Sequence, residues 1–257
     1  MLKKRLVGVI TVRRGWAVQS FGYRRWLPLG RPEILAQNLD RWGVDEILVQ
    51  VIDRSFGLDG PDFGLLARLG KIGLSTPLVY SGGISSLSDA ERVVNSAADR
   101  ICVDALLHDN PDEVERISRH LGAQAVIGAI PLSMMEGDVR WLDYRDRSES
   151  PIPSRISDLF FSGIVSEALV IDWRNEGKPA SFDEVLVNQF PIADVPLIVF
   201  GGLSDSSQLR RLLSSSRIVA AAIGNFLNYK EHAVQSYRSM LAGVALRPPI
   251  YRSMRAL

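Results

Sequence analysis

Four carboxylates stand at or just beyond the ends of apolar runs: Asp53, Asp104, Asp172 and Glu176. Acid–base catalysis needs a group that exchanges a proton near neutral pH, and a carboxylate in a closed site can be tuned to do so. Each of the four can equally be a hydrogen-bonded structural acid. Two Gly-Gly pairs, Gly82-Gly83 and Gly201-Gly202, also follow β-rich runs. Glycine there lets backbone N–H groups approach an anion with no Cβ in the way, and it also permits a tight strand-to-loop turn. Gly202 with Gly224 and Asn225 predicts one phosphate site. The counterpart at Gly82-Gly83 has Asp104 beside it, which repels a phosphate unless a cation or a proton intervenes. Cys102 is the sole cysteine, and His108, His120 and His232 share no ligand spacing. No metal site and no cofactor is expected.

The elements that must position these residues alternate. β-rich runs occupy 6–12, 46–52, 77–80, 100–103, 125–130, 168–172, 196–200 and 218–223. They are continuously apolar, as strands covered on both faces must be. Amphipathic windows lie between them: 32–42 opening on Pro32, 88–97, 111–121 behind a candidate cap Asn110, and a Leu-rich window after Ser204-Asp205. Eight strand–helix units in a chain of 257 residues predict an α/β fold, a (β/α)8 TIM barrel. An open doubly wound sheet is the alternative. The chain also repeats itself. Pro77–Ile84 resembles Pro196–Leu203, and Asp53 is as far from Asp172 as Gly82 is from Gly201. This predicts a two-fold internal duplication within one domain, with half-barrels of about 1–122 and 123–257. The longest insertions, 13–30 and 131–153, follow the first strand of each half. In a barrel such loops overhang the active-site face. The first interleaves Trp16, Phe21, Tyr23 and Trp26 with Arg13, Arg14, Arg24 and Arg25, a ring-stacking or lid-forming composition.

The charge balance, 30 Lys+Arg against 29 Asp+Glu, excludes a wholesale nucleic-acid footprint. No apolar run approaches a membrane span, and the opening residues hold too short an apolar run for a secretory signal. A cytoplasmic protein with no membrane or nucleic-acid partner is expected. Cys102, mid-strand, reads as a small buried hydrophobe. His108 reads as a loop residue, and His120 and His232 as solvated helix residues.

End to end, the sequence resembles the cyclase subunit of imidazole glycerol phosphate synthase. The likeness is carried by Met1-Leu2-Lys3-Lys4-Arg5, Gly43-Val44-Asp45-Glu46, both Gly-Gly turns, Ala98-Asp99-Arg100, Gly122-Ala123-Gln124-Ala125, and Glu176-Gly177 with Asp183. The resemblance implies a duplicated barrel with two phosphate sites and a glutaminase subunit docked at its bottom. Ammonia would pass through the interior to a substrate at the top. It also implies an acid–base pair of aspartates at the ends of the first and fifth strands. Thr11 and Pro131 stand there instead, and Gln19 replaces a loop lysine. Threonine titrates far too high, and proline has no proton to give. The opposite face keeps its charges: the ammonia gate maps to Arg5, Glu46, Arg100 and Glu167, with Asp99 beside it at a glutaminase contact. A charge-paired layer that only stabilises the barrel is the alternative.

The reading that follows is the synthase subunit of a glutamine amidotransferase. It is diverted from histidine synthesis toward sugar amination or amidination in surface-polysaccharide synthesis, with a sugar amidotransferase as a further partner. One alternative is a true cyclase with relocated groups, such as Asp53 and Asp172. Another is a non-catalytic barrel that binds a phosphorylated small molecule.

Overall fold

The computed structural model describes residues 3–54 and 59–250; Met1 and Leu2 of the N-terminal motif lie outside them. Eight parallel strands form the barrel: β1 (Arg5–Arg13), β2 (Glu46–Val51), β3 (Leu78–Ser81), β4 (Arg100–Val103), β5 (Val126–Met135), β6 (Glu167–Asp172), β7 (Leu197–Phe200) and β8 (Ile218–Ile223). Each pairs with its successor and β8 pairs with β1, so the sheet closes on itself. The continuous apolar runs now have a physical reason. Along β1 every residue from Arg5 to Val12 is buried, because alternate side chains fill two different cores. Val7 and Val9 point into the barrel with Leu48, Val79, Ile127 and Leu169. Leu6, Ile10 and Val12 pack outward against the helices.

The helices form where local sequence supplies their ends. Pro32–Trp42 starts on a proline, whose missing N–H costs nothing in the first turn, and stops at Gly43 in the left-handed region (φ 79°). The Asn110 side chain accepts the Glu113 N–H at 3.2 Å and caps Pro111–Leu121. Asp205 does the same for Ser206–Ser214 through Gln208 N–H at 2.8 Å. The window at 88–97 is a helix over Leu87–Ser96, one residue earlier, because Ser86 caps it. Among the described residues no helix is long and apolar enough to cross a membrane.

Three expectations need correction. The two long insertions are not open loops but antiparallel hairpins that prolong β1 and β5. Trp16–Phe21 pairs with β1 and with Arg25–Gly30; Asp138–Asp143 pairs with β5 and with Ser148–Ser150. Pairing of Leu132 with Trp141 carries β5 onward to Met135, so Pro131 lies inside a strand and Ala125 in a 3-10 turn before it. His108 sits in a short helix, Ala105–Asp109, and His232 precedes the helix Ala233–Met240 as its cap residue.

The third correction concerns the repeat. Gln50 pairs with Ser81, and Ile171 pairs with Phe200, each just ahead of a Gly-Gly turn. The halves therefore match Gln50 to Ile171 and Val51 to Asp172. Asp53 lies two positions further along and is not the structural twin of Asp172. A Cβ on Gly82 would meet the Val51 carbonyl oxygen at 2.4 Å, and one on Gly201 the Asp172 carbonyl oxygen at 2.4 Å. Both glycines also have φ above 100°. Backbone approach demands glycine at these places whether or not a ligand binds.

Candidate functional site

A cavity of about 500 Å³ opens at the C-terminal ends of β2–β5, within the usual range for a small-molecule site. Its floor includes Gln50, Ser81, Cys102 and Pro131, and its wall holds Gly82, Gly83 and Asp104. Burial, with Asp143 and Asp109 nearby, lifts the Asp104 carboxyl to about 8, against the pull of Arg145. At neutral pH this acid carries its proton. Arg13, Arg54, Arg145 and Arg147 line the same cavity as Asp104. Asp53 also lines the cavity, at its rim, where it accepts the Arg14 N–H at 2.6 Å.

Both hairpins close over this cavity. Tyr23 and Trp26 come from the first, Tyr144, Arg145 and Arg147 from the second. The Tyr23 hydroxyl donates to Gln50 Oε1 at 3.0 Å, and Arg147 donates to the Tyr23 carbonyl at 3.0 Å, so the two tips meet across the mouth. Arg13 stacks over Trp26 with its guanidinium 4.0 Å from the ring centre. Arg145 is held by Asp143 and Asp109, and Arg54 by Asp62 at 3.4 Å. Sequence reasoning missed Arg54, Arg145, Arg147 and Gln50. Arg145-Asp146-Arg147 in the second insertion was the available signal, hidden because the segment reads as a loop. Arg24 and Arg25 of the first hairpin lie over Trp173 and Phe21.

The other end of the same mouth is filled. At Glu176, Gly177, Gly201, Gly202, Gly224 and Asn225 the free space is about 10 Å³, roughly room for one water. The first hairpin fills it. Asn225 donates to the Ser20 carbonyl at 2.7 Å and accepts the Ser20 N–H at 3.2 Å. The Ser20 hydroxyl and the Tyr23 N–H donate to Glu176 at 2.9 and 3.3 Å. Burial raises the Glu176 carboxyl to about 7 despite these bonds. Asp172 is tied into its own loop, accepting from the Asn175 side chain at 2.9 Å and the Asp183 N–H at 2.8 Å. Of the four carboxylates singled out from sequence, Asp53 and Asp104 share the cavity; Asp172 and Glu176 do not line it.

Thr11 and Pro131 occupy matching places in β1 and β5, paired with Gln50 and Ile171. Both are buried. Gln19 lies in the first hairpin, paired with Leu27. Cys102 is buried in the interior, where burial pushes its thiol up to about 12. Among the described residues no group of His, Cys, Asp and Glu could hold a metal ion.

At the bottom, Arg5, Glu46, Arg100 and Glu167 are the first residues of β1, β2, β4 and β6. Their side chains form a closed ring. Arg5 lies 3.3 Å from Glu46 and 2.6 Å from Glu167; Arg100 lies 3.1 Å from Glu46 and 2.8 Å from Glu167. Burial alone would raise Glu167, but the two arginines hold it below the ordinary carboxylate range. Each charge thus has two opposite neighbours, which is what makes burial tolerable. Asp99, beside the ring, is exposed and accepts the Leu78 N–H at 2.8 Å. Between ring and cavity the interior is packed with apolar side chains, smallest at Ala129, Ala220 and Ala222.

Comparison with known proteins places this geometry. The profile of a family described as histidine biosynthesis protein matches residues 5–233. A protein named as imidazole glycerol phosphate synthase subunit hisF2, from Vibrio vulnificus, is 24% identical over 96% of this chain and 91% of its own length. Imidazole glycerol phosphate synthase subunit HisF of Natranaerobius thermophilus is 23% identical over 96% of this chain and all of its own. The subunit of the same name from Lysinibacillus sphaericus is 26% identical with the same coverage.

Proposed function

The chain belongs to the histidine biosynthesis protein family, and from that premise we propose that it is the ammonia-accepting subunit of a glutamine amidotransferase, diverted from the cyclisation its relatives are named for. A glutaminase docks on the bottom face around Asp99. Ammonia enters between Arg5, Glu46, Arg100 and Glu167, crosses the apolar interior as the neutral molecule, and reaches an acceptor in the cavity above β2–β5. Neutral ammonia can follow that path when side chains around Ala129, Ala220 and Ala222 yield transiently. An ammonium ion would lose its hydration in an apolar interior, at a cost of several kcal/mol. The observation that carries the reading is the contrast of the two mouths. The four-charge ring is complete, while Thr11 and Pro131 supply no proton-transfer pair at the top.

The acceptor is a sugar, aminated or amidinated for a surface polysaccharide, with a sugar amidotransferase performing or completing the transfer. Gln50, Asp53 and Asp104 offer hydroxyl-binding groups, and Tyr23 and Trp26 offer ring faces. A second reading, histidine cyclase, has one observation in its favour: Asp104, its carboxyl lifted to about 8, shares the cavity with Asp53. Asp53 and Asp172, the relocated pair considered from sequence, cannot act together, because only Asp53 faces the cavity. Expression in a histidine auxotroph lacking its own cyclase subunit discriminates. The proposal predicts no growth without histidine, and growth would establish the cyclase. A barrel that binds a phosphorylated ligand without any glutaminase complex would overturn both.

A further inference from the structure

The two ends of the top mouth are built from one repeated plan, yet only one is open. At the second-half end the chain has placed its own groups where a ligand would sit. Glu176 holds a carboxyl there, and Asn225 clasps the Ser20 backbone from both sides. About 10 Å³ remains. At the first-half end about 500 Å³ is free, and two of the four arginines that line it make no ion pair among the described residues. Arg54 and Arg145 are matched by carboxylates. Among the described residues, Arg13 and Arg147 have no carboxylate partner; Arg13 lies on Trp26 and Arg147 on a backbone carbonyl. Arg24 stands near enough to Arg147 to repel it. Arg147 and Tyr23, which bond across the mouth, both sit in the left-handed backbone region (φ 61° and 52°), the kind of local strain that persists where a clamp is built.

We propose that this cavity takes a ligand with a single phosphoryl end joined to a sugar ring, the phosphoryl group facing Arg13 and Arg147, and that the chain's own 16–30 hairpin replaces a second anion at the opposite end. The sugar rests on the function proposed above; the single anionic end rests on the geometry alone. A molecule with phosphates at both ends has nowhere to put the second one. The ring lies against the aromatic side chains of the first hairpin. A guanidinium with no resident acid loses no ion pair when the ligand arrives, so its charge-assisted bond to a phosphoryl oxygen is opposed only by the weaker contact it already makes.

Titration calorimetry with glucose 1-phosphate, UDP-glucose and fructose 1,6-bisphosphate tests this. The proposal predicts one equivalent bound per chain, a bisphosphate no tighter than the monophosphate, and about tenfold weaker binding for Arg13→Ala and for Arg147→Ala, the worth of about 1.4 kcal/mol. Melting curves of both variants establish that they are folded. UDP-glucose, whose diphosphate is closed by a sugar on each side and has no phosphoryl end, should bind more weakly than glucose 1-phosphate, and tighter binding of UDP-glucose would overturn the single phosphoryl end. Two equivalents per chain, a bisphosphate tenfold tighter, unchanged affinity in both variants, or no binding of any probe would overturn it. Stimulation of a glutaminase, measured on the same preparation, separates the failures: a chain that couples to glutaminase yet binds two phosphates loses only this inference.

Discussion

At the bottom of the barrel two acids and two bases are buried together, and every one touches two opposite charges. At the top, Arg54 and Arg145 are paired with acids, but Arg13 and Arg147 face a ring and a backbone carbonyl instead. The same residue type serves two purposes, and its partners tell them apart. A buried charge whose neighbours cancel it belongs to a closed layer. A charge left without an ion-pair partner at a roomy mouth keeps its bonding capacity for a ligand. The duplicated halves repeat the lesson within the top face. The second half sealed its end with Glu176 and Asn225, and the first left Asp104 over open space.

The comparison breaks most readily at the ring. Glu46→Ala leaves Arg5 and Arg100 sharing Glu167 alone. It should cost about 3–5 kcal/mol in denaturant unfolding, the usual loss when one partner of a buried pair is removed. A loss below about 1 kcal/mol would mean the ring is solvated and no gate.

Glu176 gives the next effect, with a definite sign. Its folded carboxyl lies at about 7 against an ordinary 4.5. The folded state therefore holds a proton that the unfolded chain has released. Stability is fully present below about pH 4.5, falls as pH rises toward 7, and is level beyond. The loss is at most about 3 kcal/mol. Asp104, lifted to about 8, extends the decline in the same direction. Glu176→Gln keeps an acceptor for Ser20 and Tyr23, so it should raise the melting temperature at pH 8 and leave it nearly unchanged at pH 4.5. An equal shift at both pH values would refute the buried-acid account of the sealed end.

Gly82→Ala and Gly201→Ala sharpen the comparison between halves. Each new Cβ would press on a strand carbonyl, so both should lose stability similarly, by on the order of 2 kcal/mol. A loss at one and not the other would show the duplication is not kept in the backbone. Smallest of all, Arg147→Ala should change stability by no more than about 0.5 kcal/mol, because the one bond it removes, to the Tyr23 carbonyl, is exposed and its loss is offset by relief of repulsion from Arg24.

The barrel was legible because the signals that define it are local. Continuous apolar runs, Asn110 as a cap, and the paired Gly-Gly turns each act through near neighbours. The ring was legible through the resemblance, since its members open their strands and need no loop to place them. The hairpins were not. Their strands pair with the overhanging ends of β1 and β5, and Arg13–Gly30 carries turn and arginine residues that mask a period of two. Asp53 was matched to Asp172 because sequence spacing ignores the different lengths between strand and turn in the two halves. Which end of the top face stays open depended on where the first hairpin lies, and nothing local to Gly202 or Asn225 records that.

Glutamine hydrolysis tests the central claim most directly. A purified glutaminase subunit of the imidazole glycerol phosphate synthase type, from the same source as this chain, is assayed alone, with the chain, and with its Glu46→Lys variant. The account predicts a stable complex and faster hydrolysis with the chain, and ammonia escaping to solvent when the ring carries a reversed charge. Hydrolysis unchanged by the chain, with no complex on gel filtration, would contradict it.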